Sequence, residues 1–90
     1  MILPTVHLNG TGAQDLFDGY KNARTAVNDA IDAICKIEFN ARDYYPQGPD
    51  AYSEARKEQI KRVEMMQSVS DDFLTIAMHI QDVAKPGSLS

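Results

Sequence analysis

The sequence predicts an all-α protein: an antiparallel helical hairpin of two long helices with an extended N-terminal segment, assembled into a homo-oligomer. Apolar residues recur at spacings of three and four along two long stretches, which is the period of an amphipathic helix. A short segment with two prolines and a glycine separates the two stretches. The chain has 90 residues, which is enough for a single domain over 1–90. A chain of this size buries only about 60–65% of its unfolded surface, so a lone hairpin is marginally stable.

Self-association is the expected source of the missing stability. Small domains gain stability from disulfides, a bound metal or oligomerisation. Cys35 is the single cysteine, so an internal disulfide is excluded. A structural zinc site needs about four ligands, and only Cys35, His7 and His79 offer soft ligands here. We therefore expect a homo-oligomer with no metal and no cofactor.

Residues 1–11 are predicted to form an extended lead-in. Pro4 lacks a backbone donor and disfavours helix before it, and Gly10 and Gly12 interrupt regular structure. Thr11 with Gln14 three residues later forms a possible capping box. Helix capping is the favoured interpretation of Thr11, and phosphate binding at a helix start is the alternative.

Helix one is predicted over residues 12–38, followed by a loop over 39–49. Its seam is an unbroken heptad pattern, typical of a left-handed helix pair. The seam consists of Ala13, Leu16, Tyr20, Ala23, Val27, Ala30, Ile34 and Ile37. In the loop, Pro46, Gly48 and Pro49 break the helix. Pro49 or Asp50 then opens the next helix, as first-turn proline or as N-cap.

Helix two is predicted over residues 50–84, with a flexible tail over 85–90. Its seam consists of Tyr52, Ala55, Gln59, Arg62, Met66, Val69, Phe73, Ile76, Ile80 and Val83. A second apolar stripe lies beside it and consists of Ile60, Val63, Leu74, Ala77 and Met78. A second stripe implies a second partner. Helix two is also longer by about 10 Å, and we expect the overhang to expose Phe73, Ile76 or Ile80, with Leu3, Val6 and Leu8 covering part of it.

Composition excludes several classes of protein. The apolar fraction of 43% is ordinary, and no apolar run approaches the roughly 18 residues that span a bilayer. The first residues lack the basic and apolar regions of a signal peptide, so we expect a cytoplasmic protein. The net charge of −4 argues against binding to DNA or RNA polymers, but not against a small anionic ligand held by local cations.

No catalytic residue is predicted. The acidic residues are scattered, the two histidines lie far apart in sequence, and a helical chain offers no strand to precede a phosphate-binding loop. Cys35 is interpreted as a packed, inert thiol beside the seam. His79 is interpreted as a surface or interface histidine. We therefore expect a binding protein and not an enzyme.

Two clusters of cations and one polar loop are candidate binding elements. Lys21 and Arg24 share a face of helix one near Tyr20, and a second cluster consists of Arg56, Lys57, Lys61 and Arg62. Arg62 falls on the predicted seam, where a charge must be paired or must face a ligand. The loop contains Asn40, Arg42, Asp43, Tyr44 and Tyr45. These loop residues either tie the turn and cap the hairpin core, or form a recognition loop.

Two motifs resemble a known family. Residues 7–11 read His-Leu-Asn-Gly-Thr and residues 40–46 read Asn-Ala-Arg-Asp-Tyr-Tyr-Pro. Over about residues 5–82 the chain resembles the phage anti-CBASS sponge proteins, whose helical hairpin is shared with anti-Thoeris sponges. Ala41 stands where the family motif more often has glycine, which questions the shape of the loop if a left-handed backbone is needed there.

The resemblance implies a function in immune evasion by bacteriophages. Family members bind the cyclic nucleotide messengers of bacterial immunity without cleaving them, inside the cytoplasm of the infected host. Anti-CBASS members are compact hexamers with cyclic dinucleotides at dimer interfaces and cyclic trinucleotides on threefold axes. Anti-Thoeris relatives carry an added β domain and bind cyclic ADP-ribose isomers. This chain has no room for that domain, so cyclic di- and trinucleotides are the expected ligands. The alternatives are a sponge for cyclic ADP-ribose-type signals and a helical interaction module without a nucleotide ligand.

The expected ligand-binding residues follow from these motifs and from ligand chemistry. Bases need aromatic platforms, and phosphates need cations or amides. Asn9, Gly10 and Thr11 are expected near phosphate, Tyr20 against a base, and Lys21 or Arg24 on phosphate. Arg42 and Tyr45 are assigned either to loop structure or to the ligand, and Arg62 to a separate pocket of higher symmetry.

Overall fold

The structure is a computed structural model that describes residues 1–6 and 11–84, with Thr11 described through its backbone alone. It consists of α1 (Thr11–Cys35), two 3₁₀ turns (Ala41–Asp43 and Tyr45–Gln47) and α2 (Ala51–Ala84). The helices pack against each other in opposite directions, which confirms the predicted helical hairpin. The predictions for residues 7–10 and for the tail at 85–90 fall outside the described residues.

Helix α1 ends three residues before the predicted end at residue 38. The Lys36 N–H reaches both the Asp32 and the Ala33 carbonyl oxygens at 3.2 Å, and the Ile37 N–H donates to the Ile34 carbonyl oxygen at 3.1 Å. This tightening from i−4 to i−3 partners closes a helix end by satisfying its last carbonyls. Ile37 is then 54% exposed and does not continue the seam.

The connection between the helices is held by backbone hydrogen bonds. The Tyr44 N–H donates to the Ala41 carbonyl oxygen at 2.9 Å, and the Gly48 N–H donates to the Tyr45 carbonyl oxygen at 3.2 Å. The Asp50 carbonyl oxygen accepts from the Glu54 N–H at 3.0 Å, so Asp50 occupies the N-cap position of α2. Helix α2 therefore begins at Ala51, one residue after the predicted start.

A hydrogen bond between Ser70 and Asn28 reveals how the two helices are aligned. The Ser70 Oγ donates to the Asn28 Oδ1 at 2.7 Å. Seven residues of α1 follow Asn28, whereas nineteen residues of α2 precede Ser70. Helix α2 therefore extends about 18 Å past α1 at the loop end.

The prediction that the C-terminal part of α2 extends past α1 is wrong. Phe73 packs against Tyr20 within the hairpin, and Ile76 and Ile80 are buried. Phe39 and Tyr44 of the connection pack against Tyr52 in the first turn of α2, so the chain reverses through a long connection and not through a tight turn. This choice between a long and a tight reversal could not be made from helix lengths.

The seam of α2 also differs from the prediction. The buried or half-buried positions are Tyr52, Ala55, Gln59, Val63, Met66, Ser70, Phe73, Ala77, Ile80 and Ala84, with Ile76 and His79 at their edge. The predicted seam residues Arg62, Val69 and Val83 are exposed. Their successors Val63, Ser70 and Ala84 lie on the packed face instead. The packed positions still repeat every seven residues from Gln59 to Ala84, so α2 is rotated about its axis relative to the prediction and does not drift from the repeat. On α1, Phe17 is half-buried where Leu16 was predicted.

The lead-in covers part of α2, as predicted. The His79 Nε2 lies 3.1 Å from the Pro4 carbonyl oxygen, and Pro4 and Val6 are half-buried. Leu3 remains 40% exposed and Ile2 94% exposed, and Leu8 lies outside the described residues. His79 is therefore a contact between the lead-in and α2.

The molecule is a thin rod with a small core. Its dimensions are 65 × 20 × 16 Å, and its radius of gyration of 19.4 Å compares with about 12 Å for a compact chain of this length. Among the described residues, the buried ones are Ala13, Ser70, Ile76, Ala77 and Ile80. The large apolar residues of α2 that remain exposed are Ile60, Met65, Val69, Leu74, Met78 and Val83. Neither described helix is long and apolar enough to cross a membrane.

Candidate functional site

Tyr20 borders a shallow groove on one side of the hairpin. Its side chain is half-buried, and its ring centroid lies 5.8 Å from that of Phe73 at an angle of 54°. The groove has a volume of about 280 Å³ and is lined by Asp15, Leu16, Gly19, Tyr20, Ala23 and Phe73. A Cβ added at Gly19 would meet no atom within 4 Å, so the groove is open above this residue. Asp15 makes the groove unfavourable for phosphate, although its apolar lining suits a flat base.

Lys21 and Arg24 lie next to Tyr20 but do not line this groove. Arg24 is one helical turn after Tyr20, so the two side chains are neighbours on the helix surface. Lys21 is exposed and Arg24 is half-buried. The Arg24 Nε is buried and has no hydrogen-bond partner within the described part of the chain. Arg24 is therefore a cation with an unused donor on the side of Tyr20 away from the groove.

The aromatic residues of the loop separate into a packed group and an exposed one. The Phe39 ring lies 5.4 Å from Tyr44 and 5.7 Å from Tyr52, centroid to centroid. The Tyr52 hydroxyl donates to the Phe39 carbonyl oxygen at 3.5 Å. Tyr44 thus caps the end of the hairpin, which is the structural interpretation of the motif. Tyr45 is 69% exposed and remains available for a ligand.

The loop does not need a glycine at position 41. Ala41 begins a 3₁₀ turn, and no non-glycine residue in the described chain has a positive φ. The replacement of the more common glycine by Ala41 is therefore compatible with the turn. Arg42 is exposed within this turn.

Arg62 is not on the face that packs against α1. It is exposed, and its Nη1 donates to the Gln59 Oε1 at 2.9 Å. The prediction that Arg62 lies on the seam is therefore wrong, and the argument that its charge must be paired or face a ligand for that reason no longer holds. The one-residue shift of the seam moves it to the flank of α2.

The first motif falls mostly outside the described residues. Asn9 and Gly10 lie there, and Thr11 is seen only as the first backbone residue of α1. The assignments of these three residues stay predictions.

The expected ligand contacts are spread along the rod. Fifteen residues of α1 separate Tyr20 from Cys35, a distance of about 22 Å, and the loop with Arg42 and Tyr45 begins beyond that point. A single chain does not bring Tyr20 and Tyr45 into one pocket. Any site that uses both must join two chains.

A second groove lies at the loop end and was not predicted from the sequence. It has a volume of about 490 Å³ and is lined mainly by apolar and aromatic residues, together with Cys35, Arg56 and Gln59. Cys35 is exposed, so its predicted burial is wrong. The helix ends at this residue, and nothing of α1 continues beyond it to cover the thiol.

No group of three histidine, cysteine or acidic side chains is placed to hold a metal ion in the described ranges 1–6 and 11–84. Comparisons with protein families, with curated proteins and with solved structures found no match to this chain.

Proposed function

We propose that this chain is a phage protein that binds and sequesters the cyclic di- and trinucleotide signals of bacterial CBASS defence without cleaving them. It acts in the cytoplasm of the infected host. The family assignment rests on the resemblance of residues 7–11 and 40–46 to the sponge motifs. The observation that carries the proposal is the half-buried Arg24 one turn from a half-buried Tyr20, with an Nε that has no hydrogen-bond partner among residues 1–6 and 11–84.

An anionic ligand can be held by the accessible part of the Arg24 guanidinium. The Nε is buried, but the side chain is only half-buried, and charge-assisted bonds to phosphate are among the stronger hydrogen bonds. Lys21, three residues before Arg24, adds a second cation on the same part of the helix. A local pair of cations of this kind can hold a small anion even on a chain with a net charge of −4.

Tyr20 supplies the aromatic surface that a nucleobase needs. Base stacking on an aromatic side chain contributes about 1–3 kcal/mol. The ring is held by Phe73 across the hairpin, so little side-chain entropy is lost when a base stacks on it. The apolar groove beside Tyr20 accepts a flat ring, and the cations lie on the other side of the tyrosine.

The pockets are shared between chains in a homo-oligomer, which the family resemblance suggests is a hexamer. A cyclic dinucleotide has two bases and two phosphates, and a twofold interface offers each residue twice. The distance between Tyr20 and the loop residues Arg42 and Tyr45 supports a site built from more than one chain.

Calorimetric titration with cyclic dinucleotides, cyclic trinucleotides and cyclic ADP-ribose isomers tests the function. We expect nanomolar binding of fewer than one ligand per chain. The ligand should be recovered intact after heat release, as judged by mass spectrometry. A converted ligand would identify an enzyme, and absence of binding to every messenger would refute the sponge.

Variants of the two central residues test the site. Tyr20→Leu should weaken binding about tenfold or more, because the stacking surface is lost while apolar packing on Phe73 is kept. Arg24→Gln should weaken it by a similar factor, and Arg56→Gln is the matched control on α2. Equal affinity of Tyr20→Leu and the parent protein would remove Tyr20 from the site.

A helical protein-interaction module is the second candidate. The exposed Ile60, Met65, Val69, Leu74 and Met78 favour it, because long apolar stripes on a monomer mark a protein interface. This candidate predicts no nucleotide binding and a stable complex with another protein. The titration above therefore separates it from the sponge.

A further inference from the structure

Helix α2 carries two exposed apolar flanks on opposite sides of its packed face. Met65 and Val69, one turn apart, form the Met65 flank and are 66% and 42% exposed. Leu74 and Met78, also one turn apart, form the Leu74 flank together with Ile60. At 100° per residue the two flanks point in nearly opposite directions, so one partner helix cannot cover both.

The lead-in covers the Met65 flank at one end only. His79 contacts Pro4, and Ile76, one turn before it, is 9% exposed. Towards the loop the same side of the helix is open, since Met65 and Val69 have no such cover. The open part therefore extends over residues 62–72.

We infer that the Met65 flank is the surface on which α2 of a second copy packs antiparallel, with a twofold axis near residue 67. This inference rests on the proposed function in one respect, because it names an interface of the proposed oligomer. In such a pair, residue 67 − n of one copy faces residue 67 + n of the other copy. Met65 then faces Val69 of the other copy, which buries both apolar side chains.

The charges on the flank are complementary under the same symmetry. Arg62 lies one turn before Met65, and Asp72 lies one turn after Val69. The axis at residue 67 brings Arg62 of one copy opposite Asp72 of the other, twice in each dimer. In the dimer, Arg62 would exchange its hydrogen bond to the neutral Gln59 Oε1 for one to the Asp72 carboxylate of the other copy. A charge-assisted hydrogen bond is about twice as strong as one between neutral groups.

The Leu74 flank does not carry complementary charges under the same symmetry. An axis at the same level would bring Ile60 opposite Leu74, but Glu64 would lie within one residue of Asp71 of the other copy. Like charges that face each other are unfavourable. Charge complementarity therefore selects the Met65 flank, and a second copy fits it better than an unrelated chain because the stripe is complementary to itself.

Two charge-reversal variants and their mixture test this interface. Arg62→Glu alone and Asp72→Arg alone each turn two attractive pairs into two repulsive ones. We expect each to raise the dissociation constant between copies at least about tenfold in analytical ultracentrifugation. An equimolar mixture of the two variants should associate again, because each copy then offers the charge that the other needs.

Arg56→Glu is the matched control, since it makes the same charge change on the other side of α2. It should leave association unchanged, and circular dichroism should report equal helicity for all three variants. Dissociation by Arg56→Glu but not by Arg62→Glu would overturn the inference. So would a mixture that stays dissociated, or a parent protein that is monomeric at every concentration. Nucleotide titration of the parent protein is a separate readout, so a parent protein that is monomeric and still binds messenger would refute the interface and not the sponge.

Discussion

Gly48 shows how a single residue shapes the turn between the helices. Its φ of 118° and ψ of 167° lie in a region that is essentially restricted to glycine. The residue ends the second 3₁₀ turn and leads the chain into α2. No atom lies within 4 Å of an added Cβ, so the constraint comes from the backbone and not from crowding.

Gly48→Ala should lower the free energy of unfolding by about 1–3 kcal/mol, because the native backbone angle is strained for alanine. Urea denaturation at a fixed chain concentration measures it. Gly19→Ala is the control: Gly19 lies inside α1 with open space around it, so alanine there should stabilise by up to about 1 kcal/mol. Equal stability of Gly48→Ala and the parent protein would contradict the backbone argument.

Arg24 carries a buried donor without a partner in the described part of the chain, and such a group weakens the fold. Arg24→Met keeps the unbranched chain as far as the position of Nε and removes the guanidinium with its buried donor. We expect the free energy of unfolding without nucleotide to rise by about 1 kcal/mol, since an unsatisfied group is removed. Lys21→Met, on the exposed neighbour, should change it by less than about 0.5 kcal/mol. A destabilised Arg24→Met would mean that the guanidinium supports the fold.

One polar pair joins the two helices in the middle of the hairpin. Ser70 is fully buried, and its hydroxyl donates to Asn28 on the opposite helix. Apolar seams tolerate sliding by a heptad, whereas a buried hydroxyl has its partner in one alignment only. A polar pair of this kind specifies register in helix pairs at some cost in stability.

A double-mutant cycle with Asn28→Ala and Ser70→Ala should reveal coupling between the two side chains. Asn28→Ala leaves the buried Ser70 hydroxyl without its partner and should cost about 1–3 kcal/mol, whereas Ser70→Ala leaves the half-buried Asn28 amide and should cost less. The double variant should be less destabilised than the sum, with a coupling of about 0.5–3 kcal/mol. Additive losses in thermal or urea unfolding would show that the bond does not contribute to the alignment.

At the scale of the whole molecule, the rod is too thin to bury its own apolar surface. Its smaller dimensions of 20 and 16 Å correspond to two helices side by side. Six large apolar residues of α2 remain exposed, as do Met1 and Ile2 in the lead-in. The proposed oligomer gives these residues a cover.

The melting temperature should therefore rise with chain concentration. Association stabilises the folded chain by mass action, so a hundredfold increase in concentration should shift the transition by several degrees. Differential scanning calorimetry over that range measures the shift. A melting temperature that stays constant would indicate a chain that folds alone.

The sequence alone predicted the two helices, their approximate limits and the broken connection between them. Heptad spacing and the proline and glycine residues of the loop are local signals, so they need no knowledge of packing. The proximity of Tyr20 to Arg24, one turn away, was also visible, because neighbours on a helix surface follow from its period.

Only the tertiary structure decided the register, the true seam of α2 and the exposure of Cys35 and Arg62. The seven-residue repeat does not reveal how far α2 is rotated about its axis, and in the structure Val63, Ser70 and Ala84 lie on the packed face in place of Arg62, Val69 and Val83. The Asn28–Ser70 bond joins residues 42 positions apart, and no local pattern announces such a contact. Burial depends on what lies opposite a residue, and that is settled when the two helices meet.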